Sequence, residues 1–199
     1  MRDTRAVIEL LRHGEPVGGT RVRGRVDDPL SELGWEQMQR AVEPCVAWSH
    51  IVTSPLRRCA AFAEHIAQQC DTPVSVDHRF AEIDFGEWEG QPPDVLWTRA
   101  PERVRSFFED PIANPPPGGE AFGDFQARVM TAWQRVVERA EGRWLIVAHG
   151  GTIRVILSSV LQIPAQNLFS LEVGYACLSQ LAVYTEGAEA RRVVLRSHA

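Results

Sequence analysis

The sequence predicts an α/β protein built as a three-layer α/β/α sandwich, with a mostly parallel central sheet and helices on both faces. Three observations predict it. Short apolar runs alternate with segments of helical spacing from Ala6 to Leu161. Two of those runs, one closing at Leu11 and one at Ala148, give way at once to a His-Gly pair. The C-terminal stretch then reads as two strands around a turn.

The elements follow in order. AVIELL (6–11) reads as a strand buried on both faces, and Gly14 closes it. After a loop rich in Gly and Arg, PLSELGWEQMQRAV (29–42) offers Ser31 as a helix cap, with Leu33, Met38 and Val42 sharing one face. HIVTS (50–54) is a second strand, and PLRRCAAFAEHIAQQC (55–70) a helix with Pro55 in its first turn. PVSVD (73–77) is a third strand. From about residue 84 to 120 the chain mixes Trp, Pro and Gly with weak periodicity, which predicts a lid of loops and short helices. Helical spacing returns through Phe125, Val129, Trp133 and Val136 or Val137. RWLIVAHGG (143–151) repeats the opening theme, TIRVILSSVL (152–161) is a helix, and ACLSQLAVYT and ARRVVLRS flank a turn at EGAE (186–189).

At 199 residues and 44% hydrophobic content, the chain suffices for one well-filled core, so a single domain over 1–199 is expected. A net charge of −5 gives no general attraction to nucleic acid or to an anionic membrane. Any anion site must be assembled locally. Cys45, Cys59, Cys70 and Cys177 form no C-x-x-C pair, which favours reduced thiols. The N-terminal charges at Arg2, Asp3, Arg5 and Glu9 do not suit a secretory signal, and no segment reaches a membrane-spanning length. A cytoplasmic protein is expected.

In open parallel sheets the ligand crevice lies beyond the carboxyl ends of the strands, where Arg12, His13 and Gly14 meet His149, Gly150 and Gly151. The glycines let backbone approach a ligand, and the helix after Gly151 adds amide donors suited to an anion. TSPLRRC brings Arg57 and Arg58 to the same end. Guanidinium groups match phosphate oxygens bidentately, and gathering such cations beside two histidines makes sense once an anion relieves the repulsion. Taken singly, each histidine has a plainer reading as a hydrogen-bonded structural residue, and each arginine as a solvated one. A metal site is disfavoured, because His50, His65, His78 and His198 lack ligand spacing, and no Walker or dinucleotide loop appears.

Ordered along the chain, LLRHGEP, GRVDDPLSELGWEQ, TSPLRRCAAFAE, AEIDFGEWEG, PPPGGEAFGDFQARV and LIVAHGGTIRVIL resemble the histidine phosphatase superfamily over nearly the whole length. The superfamily includes phosphoglycerate mutases and many phosphatases. The D-F-G-E-W-E-G and P-P-G-G-E segments are most similar to the α-ribazole phosphatase branch. The resemblance implies the phosphoglycerate mutase-like fold and a metal-independent, cofactor-free phosphatase acting on a small phosphorylated metabolite, with α-ribazole 5′-phosphate the leading guess. It implies that His13 is a nucleophile that becomes phosphorylated, that Arg12, Arg58 and His149 hold the phosphoryl group, and that Glu82 serves as acid and then base. The His13 ring should be neutral and should donate to a backbone carbonyl, with Gly14 the candidate.

Gly150 and Arg25 are further candidates for substrate contact, with Arg21 and Arg23 in the same loop as Arg25. Pro16 and VGGT stand where the family often carries a phosphate-binding Asn, so backbone at Gly18 or Gly19, or Thr20, is expected to substitute. Trp88 and Phe122 are read chiefly as packing beneath the lid, with the leaving-group pocket beside them. A mutase of the same fold and a non-catalytic phospholigand-binding protein are the alternatives, and the oligomeric state is left open.

Overall fold

The computed structural model describes residues 4–42, 46–186 and 190–199. Cys45 and most of the turn expected at 186–189 therefore lie outside the described residues. Among the described residues, six strands form one sheet: β1 Thr4–Arg12, β2 His50–Thr53, β3 Val74–Val76, β4 Gly142–Ala148, β5 Leu178–Glu186 and β6 Ala190–His198. Their order is β3-β2-β4-β1-β5-β6. Pairing is parallel from β3 through β2 and β4 to β1, and antiparallel at β1–β5 and β5–β6.

The α-helices among the described residues are α1 Glu32–Ala41, α2 Arg57–Gln69, α3 Pro93–Arg99, α4 Pro101–Glu109, α5 Phe122–Arg139 and α6 Gly150–Leu161. Strand alternation sorts the two layers, because successive side chains point to opposite faces. Ile8 and Leu10 of β1 and Ile146 and Ala148 of β4 pack with α5 and α6. Leu11, Leu145 and Val147 pack the other way, against Met38 of α1 and Phe62 and Ile66 of α2. A third apolar cluster, Trp88, Leu96, Val104 and Phe107, lies within the 84–120 excursion.

Several expectations shift in detail. Leu33 does not join Met38 and Val42 inside; it is 47% exposed, and Gly34 takes the inward position. The reason is a backbone contact: a Cβ on Gly34 would stand 2.1 Å from the Glu15 carbonyl oxygen, so only glycine fits there. Ser31 does cap α1, accepting from the Gly34 amide. Pro55 precedes the α2 cap residue Leu56 and so lies outside the first turn. α6 starts at Gly150, not after Gly151, with His149 as its N-cap residue.

Candidate functional site

β1 and β4 are parallel neighbours, with Arg12 opposite Ala148, so the residues leaving their carboxyl ends are brought side by side. The His13 amide donates to the Ala148 carbonyl at 3.0 Å, and the His13 and His149 ring centroids lie 5.2 Å apart, edge to face. The distant motifs thus converge because sheet register brings them together.

His13 is 5% exposed, and its Nδ1 lies 2.8 Å from the Gly14 carbonyl oxygen. A carbonyl can only accept, so Nδ1 carries the proton and Nε2 keeps its lone pair. Burial, then the charges of Arg58 and Arg12, hold the His13 imidazole well below its ordinary pKa. His149 is fully buried and is depressed in the same way, by burial first and then by Arg58. Its Nε2 is 2.6 Å from the Ser54 hydroxyl.

The two arginines are fixed by backbone oxygens. Arg58, fully buried, donates from Nη1 to Val26 at 2.7 Å and from Nη2 to Gly24 at 2.8 Å. Arg12 donates from Nη1 to Val173 at 2.6 Å, and its guanidinium stacks 4.3 Å from the Tyr175 ring centroid. In both residues Nε is buried and lacks a hydrogen-bond partner within the protein. Orphaned donors of this kind are rare in native structures, and two on charged groups flanking one imidazole fit an anion's oxygens.

Glu82 is 7% exposed, and its Oε2 accepts from the Gly151 amide at 2.8 Å. The α6 amide expected to serve an anion is therefore occupied by this carboxylate. Arg128 braces the segment behind it, donating to the carbonyls of Arg79, Ala81 and Glu82, and is itself gripped by Glu120 at 2.6 and 2.8 Å. Glu89 performs a matching task on the other side: its carboxylate accepts from the amides of Gly24, Arg25 and Val26, the loop whose carbonyls hold Arg58.

A cavity of about 280 Å³ opens onto Arg12, His13, Glu82 and Gly150. Arg25 does not line the cavity; its guanidinium turns instead toward Glu120, 3.9 Å away, and Arg21 and Arg23 of its loop line the wall. Gly18, Gly19 and Thr20 are exposed and stay outside the lining, while Arg23 draws the Val17 and Gly19 carbonyls onto its own guanidinium. Trp88 and Phe122 are buried as expected and line the cavity as well. Arg154 and Tyr175, which the sequence reading passed over, line it too. Arg154 lies four residues after Gly150 on α6, a spacing that could have revealed it; Tyr175 carries no local signal. Among the described residues no three His, Cys, Asp or Glu side chains cluster as metal ligands do, and no helix is long and apolar enough to cross a membrane.

The profile of the histidine phosphatase superfamily (branch 1) matches residues 8–196. The chain belongs to this superfamily. Among the curated relatives, the "Bifunctional protein Rv2228c" of Mycobacterium tuberculosis is 34% identical over 97% of this chain and 54% of that protein. The chain therefore spans about half the length of the first curated relatives it matches. A "Probable phosphoglycerate mutase GpmB" of Salmonella choleraesuis is 32% identical over 79% of this chain and 76% of its own length. Of solved structures, mycobacterial glucosyl-3-phosphoglycerate phosphatase Rv2419c superposes with a TM-score of 0.84 at 29% identity, covering 96% of this chain and 97% of that one. The α-ribazole phosphatase of Shigella flexneri gives 0.77 at 26% identity, over 88% and 89%. The α/β architecture is thus that of histidine phosphatases.

Proposed function

We propose that this histidine phosphatase hydrolyses a small phosphomonoester through a phosphohistidine at His13. The observation that carries the reading is the pair of buried, unpartnered Nε donors on Arg12 and Arg58 beside a neutral His13 whose Nδ1 is committed to Gly14. That arrangement leaves Nε2 as the nucleophile and a cationic cradle for the phosphoryl oxygens.

In the first step Nε2 of His13 attacks phosphorus, the bond to the leaving oxygen breaks, and its electron pair takes a proton from Glu82. In the second, water attacks phosphorus as Glu82 takes the water's proton, and the P–N pair returns to Nε2. Arg12, Arg58 and His149 hold the phosphoryl group throughout, so charge spread over the equatorial oxygens meets donors already in place. Neither step routes charge through a metal ion.

For the substrate, α-ribazole 5′-phosphate stays the leading candidate, supported by the likeness to the Shigella phosphatase, with glucosyl-3-phosphoglycerate second by the mycobacterial likeness. Phosphoglycerate mutase chemistry is the competing activity, favoured by the GpmB relatives. The test is turnover of a phosphomonoester panel, 3-phosphoglycerate included, in EDTA. Release of inorganic phosphate that His13→Ala abolishes supports the reading. Isomerisation of 3-phosphoglycerate without phosphate release refutes it, as does activity lost in EDTA and restored by a divalent ion.

A further inference from the structure

We propose that the phosphoester taken by this enzyme carries an aromatic, weakly hydroxylated alcohol as its leaving group; the proposal rests on the phosphatase reading of the His13 site. The end of β1, the loops carrying Arg21, Arg23 and Glu82, and α6 supply the charged residues of the cavity, while the 84–120 segment and the 3-10 segment Ala165–Ser170 supply rings. Phe107 sits at the centre, with Trp88 at 5.5 Å, Phe169 at 5.5 Å and Phe85 at 6.0 Å between centroids. Phe108 meets Phe169 at 4.7 Å and runs within 7° of parallel to Trp97.

Trp97 and Phe108 both line the cavity and are each 42% exposed. Large aromatic side chains left half in water beside a cavity are a cost to the free protein that a bound apolar group removes. Their flat, nearly parallel faces suit another ring.

The polar inventory points the same way. Among the described residues, the lining contains no Ser, Thr, Asn, Gln, Asp or Lys. Side-chain acceptors are confined to His13, Glu82 and Tyr175, and both Glu82 oxygens already accept backbone amides. The arginines only donate, and Arg23 spends its nitrogens on Asp28, Val17 and Gly19. A glucosyl or glycerate leaving group would bring more hydroxyl donors than these few side chains could satisfy, and a site discriminates strongly against unpaired polar groups, which ranks such esters below an alcohol that carries an aromatic ring, as α-ribazole does. A ring loses nothing on entry.

The experiment compares 2-phenylethyl phosphate with propyl phosphate and glycerol 3-phosphate, so that every leaving group is an alkoxide of similar basicity. Burying one ring predicts a kcat/KM advantage on the order of 10- to 100-fold for the phenylethyl ester, expressed mainly in KM. Phe108→Ala and Trp97→Ala, both at half-exposed positions, should each shrink that ratio several-fold. Equal kcat/KM for the phenylethyl and propyl esters, or a preference for glycerol 3-phosphate, overturns the proposal and leaves the phosphatase reading standing. Failure to hydrolyse any of the three overturns both.

Discussion

Gly151→Ala tests the acid role of Glu82 by moving the carboxylate rather than removing it. A Cβ at position 151 would stand 2.4 Å from Glu82 Oε1, where an ordinary contact needs about 3.5 Å. The methyl group must therefore displace the carboxylate by about 1 Å and strain its bond to the Gly151 amide, now 2.8 Å. A misplacement of that size costs on the order of 100-fold in rate, or about 2.7 kcal/mol. The loss should fall on esters whose leaving oxygen needs a proton, so kcat/KM for propyl phosphate drops about 100-fold. For 4-nitrophenyl phosphate, whose leaving group departs as an anion, the drop should stay below about 10-fold. A weakened helix cannot account for the effect, because alanine for glycine inside α6 favours the helix by up to about 1 kcal/mol. Equal losses for the two esters, or none, would refute the acid assignment.

Three further predictions follow from the same geometry. Glu89→Ala strips the acceptor from the amides of Gly24, Arg25 and Val26 and loosens the loop that fixes Arg58, so inhibition by inorganic phosphate should weaken on the order of 10-fold; an unchanged inhibition constant contradicts this. His13 and His149 are held neutral in the fold but protonate at about pH 6.5 once unfolded, so the unfolded chain binds more protons and stability, complete above that pH, falls as the pH drops below it. Denaturation free energies at pH 7.5, 6.5 and 5.5 should show the fall and a shallower slope for His149→Gln; a flat profile would be wrong for two neutral buried imidazoles. The Cys59 thiol is pushed up to about 12, by burial above all, and so should resist alkylation at pH 8 until the protein unfolds, as peptide mapping would show; rapid native labelling would contradict its burial.

What the sequence discloses and what it hides have separate physical causes. Arg12, His13 and His149 are legible because each stands where an apolar strand stops, and parallel sheets put such ends together. Glu82 has no local signature: it lies in a loop, and its place beside Gly151 is made by tertiary contact, so the family resemblance alone pointed to it. Leu33 misleads because the inward position of α1 belongs to Gly34, which no hydrophobic pattern can mark. Arg25 misleads for a related reason, since three arginines alternate in one loop and only the folded path decides which of them face the cavity. Glu89, Glu120 and Arg128 act at one remove, through the Arg58 loop and the Glu82 segment, and a hydrogen bond to a distant backbone amide leaves no trace in spacing. The 84–120 excursion was legible as loops and short helices, but its ring lining required the packing of Phe107, Phe108 and Phe169 around one cavity.

The central claim is most directly tested by trapping the covalent intermediate. Enzyme mixed with a phosphomonoester and quenched in alkali should carry an acid-labile phosphoryl group, which peptide mass spectrometry places on His13. Phosphate found on another side chain, or none during steady turnover, would contradict the account.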